Sequence, residues 1–210
     1  SAGSAQITVD GNTGIRTIPM TMYGGNLTCW SGNQDGNDPV FNKLMVVSGR
    51  KNLRWPGGSW GNCHLWRDME GPNNASSWIV SYNETLNQLF PALSDSGNET
   101  PPTLQPIVNF PGVWYGTQHT HQEAVNEAAA WVRDQTNRSV TALYWEIGNE
   151  IGGSWECGWF PEINGTYYGD YFADFYLAMK AVNPNIKIGF HGNASGVPGW
   201  TYDTLIAAAK

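Results

Sequence analysis

Hydrophobic and polar positions change period along this chain in a regular way. Short apolar runs that stop at glycine or proline alternate with longer stretches whose apolar residues recur every three or four positions. The first run spans Ile18 to Asn26 and carries Gly24-Gly25; the second, Asn52 to Trp55, breaks at Pro56-Gly57-Gly58. Leu104 to Phe110 is apolar on both faces and ends at Pro111-Gly112; Ala142 to Asn149 and Ile186 to His191 complete the set. Between them the spacing predicts helices near Pro39 to Ser48, over Ser76 to Phe90, after Thr120, over Tyr168 to Ala181 and from about Tyr202. Thr120 and Glu123 form a Thr-x-x-Glu capping box ahead of Ala124, Ala128 and Trp131, with Val125 and Val132 beside them. Phe172, Phe175, Tyr176 and Met179 stripe the fourth helix at i, i+3, i+4 and i+7. The proline-rich stretch 91–103 reads as a surface loop.

Strands alternating with helices at this spacing predict an α/β fold with a parallel sheet and helices outside it. Two architectures fit, an open doubly wound sheet or part of an eight-stranded barrel, and both put chemistry at the carboxyl ends of the strands. No Gly-x-Gly-x-x-Gly follows the first strand and no Gly-Lys-Ser/Thr occurs, so a nucleotide has no support. The strand-end loops are rich in Trp, Asn and Gly instead, which favours the barrel. Residues 1–210 then make one domain portion, a partial (β/α)8 TIM barrel of five βα units. Strands six to eight are absent, since a whole barrel needs about 250 residues.

Composition narrows the function. Hydrophobic residues make up 40%, with 25 Gly and 12 Pro, as in a globular, loop-rich protein. A net charge of −7 argues against nucleic acid or an anionic membrane surface as partner. No apolar run approaches the ~20 residues of a membrane span. Asn26, Asn74, Asn83, Asn98, Asn137, Asn164 and Asn193 each begin an Asn-x-Ser/Thr sequon, where roughly three such matches are expected by chance. The opening Ser-Ala-Gly-Ser-Ala resembles what remains after signal-peptide removal, so secretion and glycosylation are expected. Cys29, Cys63 and Cys157 match no zinc or redox spacing; all fall in strand-end loops, so any two are candidates for a disulfide. His119-x-His121 lacks a third ligand, and neither a metal nor a cofactor is expected.

The residues just past each predicted strand form a set. They are Tyr23, Asn26 and Trp30; Arg54, Trp60, His64, Trp66 and Asp68; Asn109, Trp114 and Tyr115; Asn149, Glu150, Trp155 and Trp159; then His191 and Asn193. Rings beside amides and carboxylates suit a carbohydrate, whose C–H faces pack on aromatics while its hydroxyls take directed hydrogen bonds. Substrate contacts are therefore expected from Asn26, Arg54, Trp60, Trp66, Asp68, Asn109, Trp114, Asn149, Trp155 and His191.

"LRWPGGSWGNCHLWRDMEGP" (53–72), "VNFPG" (108–112), "EAAAWVRDQTN" (127–137) and "YWEIGNE" (144–150) resemble consecutive landmarks of glycoside hydrolase clan A. They are most similar to the α-L-arabinofuranosidases and their endoglucanase and xylosidase relatives. The resemblance implies that Glu150 is the general acid/base, that Asn149 bonds the sugar 2-hydroxyl and that Arg54 holds the nucleophile's carboxylate. An acid in that role needs its proton retained by an apolar site or a neighbouring acid, and Trp145 and Trp155 are near enough in sequence to supply a wall. Glu146 is a rival on the same strand face. Four residues of strand set it roughly 13 Å deeper, where an ion pair to Arg54 is the expectation.

A retaining glycosidase needs a second carboxyl about 5–5.5 Å from the first. In the clan this residue ends the seventh strand, which the chain does not reach. Glu156 and Glu162 lie in the same flexible loop as Glu150, and Asp68 is not opposite it. The chain is then a fragment, a subunit completed by a second chain or by self-association through open sheet edges, or a half-barrel kept for noncatalytic carbohydrate binding or a structural role.

Overall fold

The computed structural model describes residues 4–14, 16–19, 22–27, 40, 44, 47–67, 103–114, 117–138, 142–192 and 199–209. Its central feature is a parallel sheet of five strands: β1 (Gly24–Asn26), β2 (Asn52–Trp55), β3 (Thr103–Val108), β6 (Tyr144–Ile147) and β7 (Lys187–Gly189). A two-stranded antiparallel ribbon, β4 (Val113–Trp114) with β5 (Thr117–Gln118), stands in the loop after β3. The helices bounded within the described residues are, in chain order, α1 (Trp60–Cys63), α2 (His121–Asn137), α3 (Gly165–Val182) and α4 (Trp200–Ala208). The main strands lie side by side in the order in which the chain makes them. A doubly wound sheet reverses that order at a switch point, whereas a barrel does not. The arrangement is therefore an arc of a (β/α)8 barrel.

Alternation along the strands divides the sheet into two faces. Leu53, Trp55, Leu104, Val108, Trp145 and Ile147 point outward and are buried under the helices. Trp131 of α2 is the hub there. It stacks on Trp66 with ring centroids 5.6 Å apart and meets Trp55 and Trp145 edge-on at 5.8 and 5.4 Å. Asn52, Arg54, Gln105, Tyr144 and Glu146 point to the concave side and are half-exposed. Ile107 shares their parity but is 1% exposed, because α1 lies over it so closely that a Cβ on Gly61 would stand 2.6 Å from its side chain.

Where it is described, the expected element pattern holds, with differences at the ends and with three short elements it did not include, α1, β4 and β5. The capping box forms as expected: the Thr120 hydroxyl accepts from the Glu123 N–H, and Glu123 accepts from the Thr120 N–H. The first strand is only Gly24–Asn26, because Pro19 lacks an N–H for a ladder and its carbonyl accepts from Met22 in a turn. The fourth predicted strand ends at Ile147, two residues early, where Gly148 takes a φ of 75° that a strand does not hold. Of the helix expected near 39–48, positions 40, 44, 47 and 48 are described and the first three are helical. The helix expected over 76–90 and the loop at 91–102 lie outside the described residues. No helix among the described residues is long and apolar enough to cross a membrane.

Candidate active site

The concave face is organised around Arg54. From β2 its guanidinium reaches across β3 to Glu146 on β6, a span of about two strand spacings, or ~10 Å. Its Nε donates to both Glu146 oxygens at 2.8 and 3.0 Å, and Nη2 donates to Oε2 at 2.7 Å. Nη1 donates to Asn26 Oδ1 at 3.2 Å and Nη2 to Asn149 Oδ1 at 3.1 Å. Gln105 donates to Glu146 Oε1 and accepts from Asn52 at 2.6 Å. The Arg54–Glu146 pair expected from the sequence is thus present, and it ties four strands together.

Above this layer the chain leaves β6 through Gly148 and Glu150, with φ of 75° and 45°. A Cβ at Gly148 would lie 2.4 Å from Ile151, so position 148 has both steric and conformational reasons to be glycine. Glu150 is the one non-glycine residue with positive φ among the described residues. Because the strand has already ended, its direction comes from this turn and not from strand parity with Glu146. Both acids nevertheless line one cleft of ≈ 420 Å³, with Arg54, Asn149 and His191. Glu150 is exposed there, and its Oε2 accepts from the indole N–H of Trp155 at 2.9 Å. Trp155 is 72% exposed. The other half of the expected wall is absent: Trp145 points outward, 1% exposed, to the helix side.

Behind Asn149 lies a buried acid that the sequence reading places in a flexible loop. Glu156 is 6% exposed, because turns from Glu150 to Gly153 and from Gly153 to Glu156 fold the loop back. Its oxygens accept from Ser59 Oγ at 2.8 Å, Asn149 Nδ2 at 3.0 Å and Asn62 Nδ2 at 2.6 Å. The next residue, Cys157, forms a disulfide with Cys63 of α1. Asn62 and Ser59 carry no motif of their own. The closeness of Asn62 to Cys63, and of Glu156 to Cys157, is the signal that would have found them.

Other expected site residues are placed elsewhere. Asn109 is buried, donating to the carbonyls of Asn62, His64 and Val113 and accepting from Gly112 N–H, so it anchors the loop after β3. Trp66 lies in the helix-side core, and its N–H goes to the Glu127 carbonyl at 3.2 Å. Trp114 is buried and stacked on His119 at 3.7 Å. Trp60 stacks on His64 at 4.2 Å, and burial lowers the His64 pKa to about 4. His191 faces the cleft with its pKa lowered by burial, against an opposing pull from Glu150, Glu156 and Glu146. Its N–H donates to the Tyr168 hydroxyl at 2.8 Å, which in turn donates to the Ile147 carbonyl. His121 Nε2–H donates to Asp174 Oδ2 at 2.9 Å, and no metal-binding cluster occurs among the described residues.

Asp68, Cys29 and the sequons at Asn74, Asn83, Asn98 and Asn193 lie outside the described residues. Asn137 is exposed at the end of α2; Asn164 is exposed but caps α3, accepting from Tyr167 N–H at 3.0 Å. Asn26 is exposed beside Arg54, so a glycan there would compete with a role in the cleft.

No protein-family model matches the chain. An exo-α-(1→6)-L-arabinofuranosidase of Bifidobacterium longum is 24% identical over 79% of this chain and 33% of its own length. Among solved structures, an arabinofuranosidase superposes with a TM-score of 0.64 at 19% identity, covering 92% of this chain and 44% of that one. A family 51 α-L-arabinofuranosidase from Bifidobacterium longum gives 0.62 at 18% identity, over 97% and 44%. The fold is that of the arabinofuranosidase barrels, in agreement with the resemblance read from the motifs. The chain spans a third of the curated relative and under half of these structures.

Proposed function

We propose that this chain is the amino-terminal part of a secreted, retaining glycoside hydrolase acting on a polysaccharide or oligosaccharide. Glu150 is the general acid/base, and the nucleophile comes from a further segment or a partner chain. The observation that carries the reading is Glu150 itself: an acid at a strand end, in left-handed conformation, exposed to an open cleft beside Asn149 and Arg54. Backbone strain of that kind persists where the surroundings over-determine it, and it concentrates at functional sites.

In this scheme Glu150 protonates the leaving oxygen and then deprotonates the water that opens the glycosyl-enzyme ester. Trp155 holds one of its oxygens and leaves the other toward substrate. Asn149 is held by Arg54 through Oδ1 and by Glu156 through Nδ2, and it meets the sugar 2-hydroxyl with its remaining capacity. Glu146 is occupied by Arg54 and Gln105 and serves to orient the guanidinium, whose charge favours a carboxylate arriving across the cleft. The disulfide fits an oxidising compartment and therefore secretion. An α-L-arabinofuranoside is the substrate to try first, since that is what the relatives' names specify.

The test is Glu150→Gln in the complete assembly. Turnover of a glycoside with a poor leaving group is expected to fall by about two or more orders of magnitude. Saccharide binding unchanged by the substitution, with no turnover in the parent either, would replace this reading with noncatalytic carbohydrate binding.

A further inference from the structure

Asn62 touches residue 149 from both sides. Its Oδ1 accepts from the Asn149 N–H at 3.0 Å, and its Nδ2 donates to the Asn149 carbonyl at 2.5 Å and to Glu156 Oε2 at 2.6 Å. It is 0% exposed, and Asn149 itself is 8% exposed. The partners settle every donor and acceptor here. A backbone N–H only donates and a carbonyl only accepts, which fixes the Asn62 amide. Arg54 only donates, which fixes Asn149 Oδ1 as acceptor and leaves Nδ2 to face Glu156. Asn62 and Asn149 therefore both donate to Glu156, one to each carboxyl oxygen, and the Ser59 hydroxyl completes its set of partners at 2.8 Å.

We propose that Asn62 and Glu156 form a positioning clamp, locked by the Cys63–Cys157 disulfide, that sets the orientation of Asn149 and, through the Gly148–Glu150 turn, of Glu150. Neither clamp residue touches substrate. The inference rests on Glu150 being the acid/base. Its physical basis is the unfavourable φ of 45° at Glu150, which the turn holds only while residue 149 is pinned on both of its backbone polar groups. The disulfide joins the neighbours of both clamp residues, so α1 and the loop after β6 cannot separate there while it is intact.

The experiment compares two substrates in the complete glycosidase, one with a poor leaving group and a 2,4-dinitrophenyl glycoside that departs without protonation. Glu156→Gln is isosteric but turns one oxygen acceptor into an N–H donor, which meets an asparagine N–H whichever oxygen is replaced. It is expected to lower kcat/KM on the poor leaving group by about 10- to 100-fold, and kcat/KM on the dinitrophenyl glycoside by a clearly smaller factor, the part that a displaced Asn149 costs both substrates. In a Glu150→Gln background it should add only that smaller factor. Equal slowing of both substrates, or a full additional loss in that background, would overturn the clamp. A second readout is independent of turnover: hydrogen exchange at the Asn149 amide. Asn62→Ala should deprotect that amide while Leu53 and Ile147 stay protected; an Asn149 amide that remains protected overturns the proposal. Failure of the underlying reading registers separately, as a Glu150→Gln variant that keeps its turnover.

Discussion

The two faces of the one sheet are built from alternate residues of the same strands, yet they are held together by different forces. On the helix side, Trp55, Trp131, Trp145, Leu53 and Leu104 are essentially removed from water. Dispersion and apolar burial act there without direction. On the concave side, Asn52, Arg54, Gln105 and Glu146 are half-exposed and joined by directed bonds, each group satisfied by the next. The comparison separates what stabilises the chain from what equips it. A polar concave layer adds little net free energy, because each bond replaces one to water. What it does is hold a cation, Arg54, and an acid, Glu146, in defined relation in the cleft that Glu150 also lines.

That contrast is open to three attacks, in descending size. Trp145→Ala removes a fully buried indole from the helix side and leaves a cavity against Trp131. It should cost about 3–5 kcal/mol in a denaturant titration, a large part of a typical domain's stability. A loss below about 1 kcal/mol would mean that the helix layer is not what holds the sheet.

Glu146→Ala, on the concave side, strips Arg54 of its main partner. Breaking a fully buried pair costs about 3–5 kcal/mol, but solvent reaches 25% and 27% of these two side chains. The expected cost is accordingly about 1–2 kcal/mol, and Arg54→Met with Glu146→Leu together should cost less than the sum of the single changes. Strict additivity would show that the two side chains are not coupled.

The effect that is smallest near neutral pH, and that grows as the pH falls, is in the pH dependence. His64 has a folded pKa near 4, below its ordinary value of 6.5, because burial disfavours the cation. Between those values the unfolded chain binds more protons than the folded one, so stability rises with pH through that window. The contribution is complete above about pH 6.5 and is lost as pH falls toward 4. Melting temperature should therefore drop over that interval, and His64→Gln should flatten the drop. An unchanged slope in the variant would assign it to other groups, with His191 the first candidate.

Much of the architecture was legible in sequence because it rests on local patterns. The second strand, the Thr120–Glu123 capping box and the stripe of α3 depend on residues within one or two turns of each other. The Arg54–Glu146 pair was legible too, since strand parity puts both on one face. What was misread came from contacts distant in the chain. Trp145 sits next to Glu146 in sequence but on the opposite face, and its partner Trp131 belongs to another element. Glu156 looked like a loop acid because its three partners lie 97, 94 and 7 residues away. Trp66 looked like a sugar platform, and nothing local says that Trp131, 65 residues on, stacks on it instead.

By itself the sequence determined the order of strands and helices, their parallel arrangement and the acid at the end of the fourth main strand. These follow from periodicity and turn chemistry, which act over a few residues. Only the tertiary structure decided which cysteines pair, which acid is buried and which is presented. Those outcomes depend on desolvation and on donors brought from distant segments, and neither is encoded at the position of the acid. Glu150 and Glu156 are the same residue type in one loop, six positions apart. One is exposed to a cleft and the other is enclosed by three donors, because the chain turns twice between them.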